Sequence, residues 1–214
     1  MIERQSAIAA HPYMQADQRV GTPWTGAAPV FLSERRPLAI LQISAFAQSS
    51  DTAAAALASA VGLGLPNPNR MTRGVDKDIR NIGPGIWQLI GAPGAIPSAG
   101  LLREMMSAHA TVVDLSHART AFVLSGPAAA RVLAQHCSLD LGMDHFPMHS
   151  ATNTRFGHIG MTLSRASAQS EFELLVFRGY AEFVLEALLE AGKEFGMQVN
   201  ARAPAGKQGE KSCP

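Results

Sequence analysis

The stretch Thr111-Val112-Val113-Asp114-Leu115-Ser116-His117-Ala118-Arg119-Thr120-Ala121-Phe122-Val123-Leu124-Ser125-Gly126-Pro127 decides the fold class of this 214-residue chain. Two apolar runs, 112–115 and 120–124, flank a short polar reversal, and runs bounded in this way read as strands. The second stops at Ser125-Gly126. Pro127 then stands at the first position of a helix, where its fixed φ fits and its missing N–H removes no bond. Ala129, Val132, Leu133 and His136 recur at helical spacing up to Cys137, so one helix face can return to the strands. The expected unit is strand, tight reversal, strand, helix.

Upstream, residues 38–44 read as a strand buried on at least one face. A helix follows from Ser50 or Asp51, either able to accept from the first free N–H groups, and it ends at Val61 with Gly62 as C-cap. Residues 65–85 are broken by Pro66, Pro68, Gly74 and Pro84 and read as a loop, with Arg70, Arg73, Lys77, Arg80, Asp76 and Asp78 as solvated charges. The next strand, 86–90, places Trp87 and Leu89 on one face and Ile86, Gln88 and Ile90 on the other. Ser98 is positioned to cap a short helix over 101–108.

Downstream, 154–163 alternates as one strand with two faces, loosened by small residues, and 172–177 is another. Tyr180, Val184, Ala187, Leu188, Ala191 and Phe195 recur at steps of 3 and 4, a core-facing stripe closed by Gly196. Glu182, Glu186, Glu190 and Glu194 fall mainly on the opposite side, as a solvated face or one that meets a basic partner surface.

The expected architecture is α+β: two successive strand–helix units with helices packed on one face of a mixed or antiparallel sheet. Residues 38–196 form that domain, with lobes at about 38–110 and 111–196. Residues 1–37 read as an irregular N-terminal arm bearing Tyr13, Trp24, Phe31 and Leu32, packed on its own domain or on another subunit. Residues 197–214 read as a flexible tail.

A net charge of +1 argues against a general nucleic-acid binder. No apolar run reaches membrane-spanning length and no secretory h-region is present. Cys137 and Cys213 stand far apart without a CxxC neighbour, and a cytoplasmic location is expected.

The search for chemistry assigns little. His145 and His149 are four apart, but Pro147 between them argues against a helical metal pair, and nothing completes a ligand set. His117 and His158 read as hydrogen-bonded structural histidines. Gly83-Pro84-Gly85 and Gly62-Leu63-Gly64 are not nucleotide cradles. Ser125 lacks a GxSxG setting and reads as the cap of the following helix. Asp114 could serve a site at a strand end or bond the N–H groups of the turn; the turn role is preferred. Cys137 reads as buried and inert. No catalytic, cofactor-binding or metal-ligating residue is assigned.

The segments Asp114-Leu115-Ser116 and Leu124-Ser125-Gly126-Pro127-Ala128-Ala129 resemble the folate-binding domain of the aminomethyltransferase (glycine-cleavage T-protein) superfamily. Within it, Gly83-Pro84-Gly85-Ile86-Trp87-Gln88-Leu89, Val113–Arg119 and Phe177-Arg178-Gly179-Tyr180-Ala181 are similar to the gamma-subunit family of heterotetrameric sarcosine oxidases. The likeness spans roughly residues 38–196. It implies a complex with alpha, beta and delta subunits that oxidatively demethylates sarcosine to glycine and passes one-carbon units to tetrahydrofolate. FAD, covalent FMN and NAD would belong to the alpha and beta chains and zinc to the delta chain, with no cofactor in this one. The Lys-Gly-Cys-x-x-Gly-Gln-Glu segment of the iron–sulfur-assembly relatives is missing, so no folate-binding or catalytic residue is carried over. A non-catalytic subunit is the leading expectation. The alternatives are a free-standing tetrahydrofolate-binding protein and a subunit of a related N-methyl amine oxidase or dehydrogenase.

Overall fold

The structure is a computed structural model that describes residues 11–12, 17–167 and 170–200; Tyr13, Cys213 and the tail beyond Asn200 lie outside these. In chain order the elements begin with β1 (Gln18–Val20), β2 (Val30–Glu34), β3 (Ala39–Ala45) and α1 (Ser50–Val61). They continue with β4 (Met71–Arg73), β5 (Lys77–Gly83), β6 (Ile86–Gly91), α2 (Ala99–Met106) and β7 (Ala110–Asp114). Then come β8 (Arg119–Ser125), α3 (Ala129–Ala134), β9 (Ala151–Phe156), β10 (Ile159–Ser167), β11 (Glu171–Phe177), α4 (Ala181–Lys193) and β12 (Met197–Asn200).

The strands form two sheets, a five-stranded one ordered β4-β5-β6-β3-β7 and a seven-stranded one ordered β1-β12-β2-β8-β11-β10-β9. The smaller sheet is antiparallel throughout. In the larger, β12 runs parallel to β2. Strand alternation sorts side chains to two faces. Leu41, Ile43, Trp87, Leu89 and Val112 pack under Ala53, Leu57, Val61, Leu102 and Met106 of α1 and α2. Phe122, Leu124, Leu163, Phe172, Leu174 and Val176 pack under Val132, Leu133, Val184, Leu185 and Leu188 of α3 and α4. The opposite faces meet one another through Ile40, Ile90, Ala121 and Leu175. The layers are helices, small sheet, large sheet, helices. Each sheet carries its helices on one face, as the α+β reading expects.

Local signals account for several boundaries. Ser98 Oγ accepts from the Leu101 N–H at 3.2 Å and starts α2. Gly62 closes α1 at φ 67°, and its N–H donates to Ala58. Trp87 and Leu89 face the helices, whereas Gln88 and Ile90 face the other sheet, as their alternation requires.

Other elements depart from local expectation. The runs before and after the 115–118 turn do not form a hairpin: β7 pairs with β3, and β8 with β2 and β11. The turn carries the chain from one sheet to the other. Residues 65–85, read as a loop, contain β4 and β5, because the alternating partners of Ile79 are buried charges rather than exposed ones. Residues 154–163 are two strands, β9 and β10, reversing at Gly157, whose φ is 56°. Residues 18–20 and 30–34 of the irregular arm, and 197–200 of the tail, are strands of the large sheet, with Leu32 fully buried in its core. Tyr180 leaves the α4 stripe and is 53% exposed, because 178–180 form a 3-10 turn ahead of the helix.

The inter-sheet layer is not wholly apolar. Asp78 and Arg80 of β5 point into it and meet Glu173 of β11 and Arg35, which follows β2. The Glu173 carboxylate takes Arg80 at 2.5 Å and Arg35 at 2.7 Å, and Arg35 reaches on to Asp78 at 3.4 Å. Arg73 approaches Asp78 at 3.7 Å. Beside this network Gln88 donates to Thr162 at 3.3 Å and Thr162 to Asn153 at 2.8 Å. Burial alone would raise the Glu173 pKa, but the charges of Arg80 and Arg35, with their hydrogen bonds, hold it at about 2.

Glu173 lies below its unfolded-state pKa, so its contribution to stability is complete above that value and is lost as pH falls toward 2. Glu173→Gln removes the charge, leaving the buried Arg80 guanidinium uncompensated and Arg35 with Asp78 alone. A loss of about 3–5 kcal/mol is expected, read as the shift in a urea midpoint at pH 7. The variant's deficit should shrink as pH is lowered below about 4. A pH-independent deficit would show that packing rather than charge is responsible.

Candidate functional site

The Asp-x-Ser segment that the sequence singles out is a backbone-satisfying turn. Asp114 Oδ1 accepts from the Ser116 N–H at 2.9 Å, and Ser116 Oγ accepts from the Ile40 N–H at 2.9 Å. The Leu115 N–H donates to the Ile40 carbonyl at 2.8 Å, and the Ala118 and Arg119 N–H groups both donate to the Leu115 carbonyl. The Asp114 and Ser116 side chains at this crossover therefore each accept from a main-chain N–H. The Arg178 N–H donates to the Ala118 carbonyl at 2.9 Å and ties the end of β11 to the same turn.

Ser125 does not cap the following helix. It ends β8 opposite Phe31, and α3 starts three residues later from Ala128, which makes no side-chain cap. Entry is set instead by Gly126, at φ 107°, where an added Cβ would lie 2.6 Å from the Pro29 carbonyl oxygen. That same carbonyl accepts the Ala128 N–H at 3.0 Å. Only glycine permits this approach.

The histidines are dispersed. His145 Nδ1 lies 2.9 Å from Asp140 on the surface, and His136 stacks on Phe156 at 4.6 Å between centroids. His158 is exposed at the β9–β10 reversal, and the His117 carbonyl accepts from Arg178. Cys137 is buried, 3.9 Å from Thr154 Oγ1. Among the described residues the one grouping of His and acid ligand atoms is His11 with Glu182 and Glu186, on the exposed face of α4. The sequence places Glu182 and Glu186 one helical turn apart but offered no signal for His11, 171 positions or more from either.

His149 stands at an open cleft of about 440 Å³ where the two sheets converge, lined by Leu65, Pro66, Arg70, Met71, Met148 and His149. Two segments cross there. The Met71 N–H donates to the His149 carbonyl and the Ala151 N–H to the Asn69 carbonyl, while Arg70 bonds Ser150 Oγ at 3.0 Å. Asn69 and His149 both adopt positive φ, 57° and 65°. These conformations cost energy that the crossing hydrogen bonds offset.

Most informative is the residue that sequence reading missed. Glu173 is the single acid in the run Phe172-Glu173-Leu174-Leu175-Val176-Phe177, and it is the centre of the buried network. Arg80 and Arg35 hold it as a carboxylate at about 2, and each of its oxygens accepts from one of the two guanidinium groups.

Against known proteins, residues 90–205 match the model of the GCVT N-terminal domain, just over half of the chain. The sarcosine oxidase subunit gamma of Corynebacterium sp. strain P-1 is 33% identical over 146 residues, covering 67% of this chain and 71% of that one. The Arthrobacter sp. subunit gamma is 33% identical over 144 residues, covering 66% and 70%. Among solved structures, a chain of the heterotetrameric sarcosine oxidase from Corynebacterium sp. U-96, in complex with pyrrole 2-carboxylate, superposes with a TM-score of 0.74. It is 27% identical, with 94% of this chain and 98% of that one covered. The glycine cleavage aminomethyltransferase T of Bartonella henselae shares the fold at a TM-score of 0.59 and 16% identity, over 81% of this chain and 48% of that one.

The two facing sheets, each backed by its own helices, are thus an aminomethyltransferase-type fold. Within that class the chain belongs to the family of sarcosine oxidase gamma subunits.

The fold class implies tetrahydrofolate, and the interior can be tested against it. A pterin presents a guanidine-like donor edge that a buried carboxylate would take. Glu173 is occupied by Arg80 and Arg35, Asp78 by Arg35 and Arg73, and Glu34 lies 3.4 Å from Arg36. These buried acids do not fit the ligand, and no step is derived through it.

If Ser116 serves the backbone, Ser116→Ala should cost about 1 kcal/mol without changing the turnover of any enzyme the chain belongs to. A loss of turnover at unchanged stability would assign chemistry to the turn.

Proposed function

We propose that the chain is the gamma subunit of a heterotetrameric sarcosine oxidase and contributes framework rather than catalytic groups. The observation that carries the reading is its likeness, along nearly its whole length, to one chain of such an assembly. Supporting the non-catalytic part, the residues with the strongest chemical character are committed to structure. Asp114 and Ser116 satisfy main-chain groups, and Glu173 and Asp78 neutralise buried arginines. The companion alpha, beta and delta subunits would carry the flavins, NAD and zinc, and would pass the one-carbon unit to tetrahydrofolate. No helix among the described residues is long and apolar enough to cross a membrane, in keeping with a cytoplasmic assembly.

Purification of the native protein tests this. Three companion chains and flavin absorbance are expected to travel with it, and sarcosine-dependent oxygen uptake should follow the same fractions. A colourless chain eluting alone would remove the reading. Titration of the isolated chain with tetrahydrofolate should give no saturable heat; clear saturation would favour a free-standing folate-binding protein instead.

A further inference from the structure

Three aromatic residues stand in solvent at intervals of three: Phe177 at the end of β11, Tyr180 in the 3-10 turn, and Phe183 in the first turn of α4. They are 45%, 53% and 59% exposed. Three-residue steps through a 3-10 turn and into a helix keep successive side chains on one line, so the rings form a stripe. Solitary exposed apolar residues need no explanation, but a stripe of aromatic rings marks a contact surface.

A cation sits in the same surface. Arg119, opposite Phe177 in the β8–β11 register, stacks its guanidinium 3.6 Å above that ring. It makes no salt bridge among the described residues, and its Nε is buried without a hydrogen-bond partner. Burial lowers its pKa with no compensating acid. In contrast, Arg35, Arg73 and Arg80 of the inter-sheet layer all face carboxylates. Arg178 and His117 border the patch, linked through the His117 carbonyl. The acids of α4 beside Phe183, Glu182 and Glu186, lie together with His11. A half-buried arginine stacked on an aromatic ring, with no acid of its own among the described residues, gains most from an incoming carboxylate.

We propose that Phe177, Tyr180 and Phe183, with Arg119, form a docking surface for a segment of a companion subunit that presents a carboxylate flanked by apolar side chains. The proposal rests on the reading of the chain as a subunit. Tyr and Arg are the residue types that most often dominate such contacts. The occupant is a companion chain rather than a second copy, because Arg119 lacks a carboxylate partner among the described residues of its own chain and the solved relative matched along 94% of this chain is part of a heterotetramer.

The test uses the full assembly, with Tyr180→Ser/Phe183→Ser and Arg119→Glu variants of this chain co-expressed with its companion subunits. Both should retain the thermal transition of the isolated wild-type chain. Each should recover at least tenfold less of the companion subunits, identified by mass spectrometry. Arg119→Gln should lose less than Arg119→Glu, because only the latter places like charges opposite one another. Wild-type yields from both variants would overturn the proposal while leaving the subunit reading intact. If the wild-type chain itself recovers no companion, both fall. A wild-type dimer that the double variant converts to monomer would assign the patch to self-association and overturn the proposal. So would recovery that is unchanged in the variants but altered by deleting residues 1–16, which would give the stripe to the chain's own N-terminus.

Discussion

The Glu173 carboxylate, gripped by Arg80 from one sheet and Arg35 from the other, is the interaction on which the arrangement of layers depends. Each sheet already has an apolar face satisfied by its own helices. What remains to define is how the second faces meet, and there, among the described residues, Ile40, Ile90, Ala121 and Leu175 form a small apolar cluster flanked by Leu38 and Leu115. So small an apolar contact specifies position weakly, since apolar packing is non-directional. A buried carboxylate between two guanidinium groups tolerates little displacement, because any shift exposes an unpaired charge to a medium of low polarity. The network fixes register between the sheets, whereas the two helix-backed cores supply most of the burial.

The same logic explains the crossover at 114–118. A chain leaving the edge strand of one sheet for the middle of another must cross the boundary without stranding its amides. Asp114 and Ser116 do this by accepting from N–H groups, including the Ile40 N–H on the neighbouring strand. The Asp114-Leu115-Ser116 segment thus bonds main-chain groups on both sides of the crossover.

How much of this was legible depends on the range of the interaction. The Ser98 cap, the Gly62 terminus, the faces of 86–90 and the Val184–Ala191 stripe follow from neighbours within a few positions, and the structure contains them. Strands β4 and β5 were hidden because Asp78 and Arg80 look solvated until Glu173, 93 positions from Arg80, is placed beside them. The visible clue was an acid, Glu173, set between the apolar residues Phe172 and Leu174 of a strand. The hairpin reading of 111–124 failed for a related reason: a short linker fits a hairpin, and only the bond to Ile40 reveals a different partner. Tyr180 fits the helical stripe by spacing, but the 3-10 turn rotates it outward. For the candidate site, the turn role of Asp114 could be read locally, whereas the network around Glu173 could not.

The strand order of the larger sheet carries a consequence for how the molecule comes into being. The last described strand, β12, is interposed between β1 and β2. The five-stranded sheet draws on one continuous span of chain, from β3 to β7, and can close as soon as that span has left the ribosome. The larger sheet cannot. Among the described residues β1 pairs only with β12, so it waits for residues 197–200 to be made before it has a neighbour. Birth order and assembly order are reversed at that edge, where β12 holds β1 beside β2.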